Sequence, residues 1–535
     1  MLMLATRRRR LAILLCLAVI FSACASPRIA QGDITVSVIA DGATQQVRLP
    51  AGSTAADALE AAGVEVDLLD RSQPPPYTVM TEGDQVNLTR VVEEFEVEES
   101  IIPYETQLLR NESLPEGERR LVQPGVNGLL ETTRRIVYED GMEVSSSAVK
   151  TNVITAAVPE IVMVGSQAPM AAVPVAGRLV YLSGGNAWVI EETTGNRRPV
   201  ITSGDLDGRI FNLSPNGAWL LFSRAGQEEG VINTLWVVRV DDDSGLEIDL
   251  QVQNVIHYAD WVPGSGNSIA YSSVESNPNP PGWQANNDLQ FINFSDSGWA
   301  SDPRSFISPT SGGIYGWWGT IFQYSPDGEE LLYSRPDGVG KVDFDREELV
   351  PLVDVVPLQT RSDWAWVPEI SWSPDQRFFF MVSHAPQAGI SSPEESPLFD
   401  LSVVPLVAGV PVTLVSEVGM FAHPLVSPVL ETDYGDRSYQ VAFLQALSPT
   451  QSRTSGYRLW VMDRDGSNRR ALFPPEGAQG LDPHRYAWSP VDDSLDDIVL
   501  SIAVIYQGNL WLVDVESGQA QQLTGDGLTS ALDWK

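Results

Sequence analysis

At 535 residues the chain exceeds what one hydrophobic core normally serves, so several domains are expected. With 43% hydrophobic and 19% charged residues it reads as a folded protein, and 15 Trp beside 43 Gly and 37 Pro point to many short strands joined by tight turns. The formal net charge of −36 repels phosphate backbones, which excludes nucleic acid as a partner and favours a solvated surface outside the cytoplasm.

The chain opens with four arginines at 7–10 and an apolar run over 11–21, too short to span a bilayer and right for a signal peptide. Phe21-Ser22-Ala23-Cys24 resembles a bacterial lipobox, with Phe21 where Leu is usual. Residues 1–23 are therefore expected to be a lipoprotein signal peptide, Cys24 the lipidated N-terminus and 24–32 a tether. An ordinary signal peptide cut near Ala25 is the alternative. The lipobox reading implies an exported protein held by Cys24 on the outer side of the cytoplasmic membrane, or in the outer membrane or periplasm. Cys16 and Cys24 are the two cysteines of the chain. A mature chain beginning at Cys24 would have no thiol for a disulfide, a nucleophile or a metal.

Residues 34–38 and 46–49 alternate around Asp41-Gly42, a two-residue hairpin signal. Ser53-Thr54 can cap a helix from Ala55 to about Ala62, ended by Gly63. A Pro74-Pro75-Pro76 turn and strands at 77–80 and 85–91 follow. Hairpin, helix and further strands make a β-grasp (ubiquitin-like) order, expected over 33–92. The hairpin, the helix start from Ser53 to Leu59 and Glu82-Gly83-Asp84 resemble the small domain of unknown function that precedes wall-associated modules in YabE-like proteins and resuscitation-promoting factors.

Residues 93–168 form a second expected module. An acidic alternating strand over 93–99 leads to Ile101-Ile102-Pro103-Tyr104, and extended segments at 132–138 and 153–158 lie between glycines. Gly117, Gly125, Gly128, Gly141 and Gly165 match the five glycines of the G-five domain, a bacterial surface module, and the match runs end to end. The residues describe long, thin strands with little core, in which glycine permits tight turns. Each glycine read singly is structural. The resemblance implies adhesion or binding of wall glycans containing N-acetylglucosamine.

After a linker at 169–176, one phrase recurs. Tyr324-Ser325-Pro326-Asp327-Gly328 is its clearest copy, Leu213-Ser214-Pro215-Asn216-Gly217, Trp372-Ser373-Pro374-Asp375 and Trp488-Ser489-Pro490 repeat it, and Trp261-Val262-Pro263 and Val426-Ser427-Pro428 are weaker. Pro fixes φ, and Asp and Gly accept turn geometry between strands. The prolines at 215, 263, 326, 374, 428 and 490 are 48 to 63 residues apart, the span of a four-stranded unit with insertions. With the later Leu235-Trp236, Leu459-Trp460 and Leu510-Trp511 strands, the repeat resembles that of Tol-B-type (WD40-like) β-propellers. Ala531-Leu532-Asp533-Trp534 matches the strand before Ser-Pro, and 178–203 supply the rest of that unit. The expectation is a mainly β chain ending in a seven-bladed propeller over 177–535, closed by a shared blade. Six blades is the alternative if the unit near Ser427 is not an independent sheet.

The catalytic constellations searched for are missing from the sequence: a Gly-x-Ser-x-Gly elbow, a sialidase box, a paired-histidine motif, a phosphate loop and a dinucleotide fingerprint. His257, His384, His423 and His484 stand singly. No metal or cofactor is expected, and the chain reads as a non-catalytic, monomeric envelope protein that binds wall glycan or a protein partner. The alternative is a glycan hydrolase or lyase working through carboxylates in the propeller funnel. The candidate binding residues are Trp283, Trp299, Tyr315, Trp317 and Trp318, in the insertion that lengthens one unit to 63 residues. Each Trp taken singly is more ordinary as packing between blades. Trp317-Trp318 is the exception, since neighbours on a strand face opposite ways. Trp364-Ala365-Trp366 reads as inter-blade packing, and Asp241-Asp242-Asp243 as a solvated turn.

Overall fold

The computed structural model describes residues 32–115, 117–167, 172–242, 244–431, 437–491 and 500–535. The expected signal peptide, Cys24 and most of the expected tether lie outside the described residues. Contacts divide the chain into two units, one of residues 1–107 with 121–162 and one of 108–120 with 163–535.

In the first unit, Asp33–Ala40 and Ala43–Pro50 pair with Ala40 opposite Ala43. Asp41 (φ 54°) and Gly42 (φ 74°) make the turn, both left-handed as a type I′ hairpin requires. Helix α1, Ala55–Ala61, starts from a capping box in which the Thr54 hydroxyl accepts from the Asp57 N–H and the Asp57 carboxylate accepts from the Thr54 N–H. Ala55, Ala58 and Leu59 bury against Val36, Val38, Val86 and Leu88 of the sheet. Its strand order is Ala43–Pro50, Asp33–Ala40, Gln85–Thr89, Arg71–Gln73, and the central two run parallel, so the domain is β-grasp-like.

The strand expected at 77–80 is not formed. Arg71–Gln73 takes the sheet edge, and 77–80 contributes a single bridge between Val79 and Thr54. This stretch serves the helix end instead: the Ala55 and Ala56 N–H groups donate to the Thr78 and Pro76 carbonyls at 2.9 Å. The strand expected to reach residue 91 stops at Thr89, because Arg90 turns the corner. Its guanidinium donates to Asp41 at 2.8 and 2.9 Å, to Asp70 at 2.7 Å and to the Glu65 carbonyl at 2.7 Å.

Beyond the corner, Val91–Ile102, Gly128–Glu139 and Met142–Thr155 form one antiparallel sheet with Gly128–Glu139 central. It is a single layer. Every residue of Met142–Thr155 is exposed, as are Phe95, Val97 and Ile101. With so little buried surface, the backbone ladder and cross-strand pairs such as Arg134 to Glu98 (3.2 Å) carry it.

The second unit holds seven four-stranded antiparallel sheets among the described residues. Their inner strands are Leu206–Leu213, Tyr258–Trp261, Ile321–Tyr324, Ile370–Trp372, Leu425–Val426, Ala487–Trp488 and Thr529–Trp534. Thr529–Trp534 pairs with Pro174–Ser183, so the first blade joins both ends of this region. We number it blade 1, and the blades begun by the other six strands, in the order given, 2 to 7. The weak Ser427 copy heads its own sheet, against the six-blade alternative, and Pro174–Ser183 begins inside the expected linker.

The core lies between the blades and closes on itself. Leu182 and Val180 pack on Leu213 and Phe222, joining blades 1 and 2. Leu235 and Trp219 meet Trp261 and Ile292 across blades 2 and 3, and Tyr258 and Leu289 meet Phe322 and Leu331 across blades 3 and 4. One large cluster runs through blades 4, 5 and 6, another joins 6 to 7, and Ile505 and Leu512 meet Leu179 and Trp534 to link 7 back to 1. Met163, Leu109 and Leu114 pack on this last cluster.

The recurring phrase makes two sets of bonds. Its buried serine braces the turn: Ser214, Ser325 and Ser373 each accept the N–H five residues on (2.9, 2.9 and 3.1 Å) and donate to the Asn or Asp two residues on (2.7, 2.6 and 2.7 Å). Its tryptophan ties one blade to the one before. The indoles of Trp261, Trp372 and Trp488 donate to the carbonyls of Asn212, Gln323 and Leu425 at 3.0, 3.0 and 3.1 Å.

Candidate functional site

Each inner strand runs from an upper face toward its Ser-Pro turn below. The connections leading into the inner strands, and those between second and third strands, therefore gather on the upper face. Blade 3 carries the insertion between its second and third strands, Ser268–Ser272 and Leu289–Asn293. The connection over 308–320 leads on to blade 4.

Asn287, fully buried with φ 50°, fastens these two loops. Its side-chain amide donates to the Gly316 carbonyl at 2.7 Å and its oxygen accepts from the Thr320 hydroxyl at 2.8 Å. The Ala285 N–H donates to the Trp317 carbonyl at 3.0 Å, and the Trp283 indole to the Trp318 carbonyl at 3.2 Å. The loops thereby present a half-buried aromatic platform. Trp283 and Trp318 lie 5.2 Å apart between centroids, Trp317 meets Trp318 edge-on at 5.9 Å, and the His257 ring sits 4.9 Å from Trp318 and 5.8 Å from Trp283. The Arg209 guanidinium lies 5.5 Å from the Trp283 ring. Burial, with Arg209 adding to it, pushes His257 down to about 4, so the imidazole is neutral, and its Nε2 is buried without a partner.

Charged groups line the inner strands beside this platform. Counted back from the turn, Glu369, His423 and Arg485 occupy one equivalent position in blades 5, 6 and 7. His423 Nδ1 lies 2.6 Å from a Glu369 oxygen, its N–H donates to the other at 2.8 Å, and its Nε2 faces the Pro483 carbonyl at 2.8 Å. Both ring nitrogens thus face acceptors. Burial works against the Glu369 carboxylate, but His423 and Arg485 together outweigh it and hold the carboxyl below its ordinary value.

Two positions further down each inner strand, Asp533, Asn212, Asp260 and Gln323 are equivalent in blades 1 to 4. Asp533 accepts from Leu213 of the next blade at 2.8 Å, and Asn212 donates to the Ala259 carbonyl at 2.8 Å. The pattern then breaks. Asp260 accepts only from its neighbour Trp261 (2.8 Å) among the described residues, and Gln323 Oε1 and the hydroxyl of buried Tyr258 have no partner. Burial pushes the Asp260 carboxyl up to about 6, with Lys535 and Arg485 acting the other way and Asp533 adding to it.

Of the residues singled out from sequence, Trp283, Trp317 and Trp318 come together. Trp317 and Trp318 lie in a turn and not on a strand, so they do not point oppositely; their rings meet edge to face. Tyr315 shares that turn, and its carbonyl accepts the Trp318 N–H at 3.0 Å. Trp299 is 59% exposed but sits in the turn between the outer strands of blade 3, at the lower face, apart from the platform. Trp366 is buried and donates to the Met420 carbonyl at 2.9 Å, as packing predicts. Sequence reasoning missed Arg209 and His257. Their signal was register: both stand three residues before the Asn212–Asp260 position.

Residues 93–167 match the family described as G5 domain. This segment is a G5 domain. Residues 36–76 match the G5-linked ubiquitin-like domain. The G5 domain of an IgA1 protease is 30% identical over 15% of this chain and 94% of its own, with a TM-score of 0.12. The periplasmic gluconolactonase of Pseudomonas aeruginosa is 12% identical over 68% of this chain and 98% of its own, with a TM-score of 0.41. A putative 6-phosphogluconolactonase of Bacteroides fragilis is 9% identical over 67% and 97%, with a TM-score of 0.39. No curated protein sequence matches the chain.

The glycines of the G5 domain act through the backbone. Gly141 (φ 79°) follows Asp140 in the turn that places Glu139 opposite Met142. A Cβ on Gly128 would stand 2.5 Å from the Thr155 carbonyl, and the Tyr104 ring leaves no room for one on Gly125. Gly117, left-handed at φ 86°, donates its N–H to the Gly165 carbonyl at 3.2 Å. Among the described residues no helix is long and apolar enough to cross a membrane.

Proposed function

We propose that this chain is a non-catalytic, lipid-anchored protein of the bacterial envelope whose propeller binds wall glycan on its upper face. G5 domains are associated with cell-wall and envelope proteins, which supports the compartment. The observation that carries the reading is the platform of Trp283, Trp317 and Trp318 beside His257 and Arg209. Indole faces stack on the C–H faces of sugar rings, while neighbouring polar groups take the hydroxyls. The loops are already fastened by Asn287, so little ordering is needed on binding. Lipid attachment at Cys24 would hold the protein at the membrane by one anchor. Co-sedimentation of the purified chain with isolated cell walls tests the reading: the wild type is retained, and Trp318→Ala is released. Retention unchanged in Trp318→Ala would remove the platform from the account.

Asp260 favours a second reading, a carboxylate-based glycan hydrolase. A carboxyl raised to about 6 beside the axis is suited to a general acid. Release of reducing sugar by the wild type and its loss in Asp260→Asn would establish that reading in place of the first.

A further inference from the structure

In a chain of net charge −36, Arg209 and Arg485 collect with His423, His484 and the neutral His257 where the inner strands of blades 2, 3, 6 and 7 begin. Three of the four histidines in the chain are among them. The nearby carboxylates are mostly committed elsewhere. Asp207, the closest to Arg209, accepts from the Arg209 N–H at 3.1 Å, from Asn233 at 3.1 Å and from the Ser223 hydroxyl, and makes only a long ion pair with the Arg209 guanidinium, at 3.7 Å. Glu369 gives both oxygens to His423. Asp260 lies three residues deeper than His257, in the field of Lys535 and Arg485. Arg485 is exposed and makes no hydrogen bond among the described residues. Arg209 is exposed too, with its guanidinium over the Trp283 face.

We propose that the ligand of this face is an acidic sugar: its ring lies against Trp283 and Trp318 and its carboxylate is taken by Arg209, with Arg485 as a second cation across blade 1. The inference rests on the glycan-binding reading above and adds the charge of the ligand. A guanidinium meets a carboxylate with two parallel N–H donors, and here the pair would form over an indole, partly shielded from water. The rest of the acidic surface repels an anion, so local positive charge at the end of the axis would also steer it inward.

Isothermal titration of the full chain with sugar pairs that differ by one carboxylate, glucose with glucuronate and N-acetylglucosamine with N-acetylmuramate, tests this. The acidic member should bind about tenfold or more tighter at low salt, as expected of a charge-assisted bond, and lose that margin as salt rises. Arg209→Gln should abolish the margin by weakening the acidic member far more than the neutral one, and Arg485→Gln should reduce it. Equal or tighter binding of the neutral member, or a margin that survives Arg209→Gln, overturns the proposal and leaves the glycan reading standing. If no member of any pair binds, in solution or as isolated wall, both fail. Thermal unfolding at wild-type temperature shows that each variant is folded.

Discussion

Asp260 sets up a direct test of how the inner strands are held. Asp260 and Asp533 are equivalent carboxylates, each accepting the N–H of the following Trp at 2.8 Å. Asp533 has a second donor in the next blade, the Leu213 N–H at 2.8 Å, and Asp260 has none among the described residues. Burial raises the Asp260 carboxyl from 3.8 to about 6 in the folded state. The folded protein therefore holds a proton that the unfolded chain has released between these values, so stability falls as pH rises from about 4 to 6. At about 1.4 kcal/mol per tenfold change in acidity, ionised Asp260 costs about 3 kcal/mol at pH 7. Asp260→Asn keeps the shape and removes the charge. It is expected to stabilise the protein by about 2–3 kcal/mol at pH 7.5 and by roughly nothing at pH 4. Urea unfolding at these two values, followed by tryptophan fluorescence, measures the difference. A variant equally stable at both, or destabilised at pH 7.5, would refute the reasoning. Asp533→Asn is the control and should destabilise, by about 1 kcal/mol, since one amide oxygen replaces two acceptors.

Ser373→Ala removes the acceptor of the Phe378 N–H and should cost about 1–3 kcal/mol in the same urea assay. Arg90→Met would leave the Asp70 carboxylate, whose side chain is 1% exposed, with only the Asp67 and Val91 N–H donors, and should destabilise the first unit by about 1–3 kcal/mol, read by hydrogen exchange of the Val91–Ile102 amides. Gly319 (φ 144°) has its absent Cβ 2.5 Å from His257 Cδ2; Gly319→Ala should cost about 1–3 kcal/mol and weaken sugar binding by displacing that ring.

Much of the fold was legible because local chemistry and tertiary structure agree. Asp41-Gly42 demands left-handed residues and obtains them, and the Ser-Pro-Asx phrase contains both the hydroxyl and the side-chain acceptor that brace its own turn. Residues 77–80 read as a strand because their partner, the N-terminus of α1, is not visible in local alternation. The platform was legible in residue type but not in membership. Trp283 and Trp318 meet through the Asn287 side chain, which nothing in their own neighbourhood announces, and Trp299 belongs to the opposite face despite being only sixteen residues from Trp283. Arg209 and His257 become visible only when the blades are aligned on their turns, because their meaning lies in register across repeats.

The central claim is that the upper-face platform binds glycan. Tryptophan fluorescence titration of the full chain with soluble wall fragments tests it most directly, comparing the wild type with Trp318→Ala and with Trp299→Ala. The account expects saturable quenching by the wild type, a loss of affinity of about tenfold or more in Trp318→Ala, consistent with a ring contact, and no change in Trp299→Ala. Saturable binding that survives Trp318→Ala, or no binding by the wild type, would contradict it.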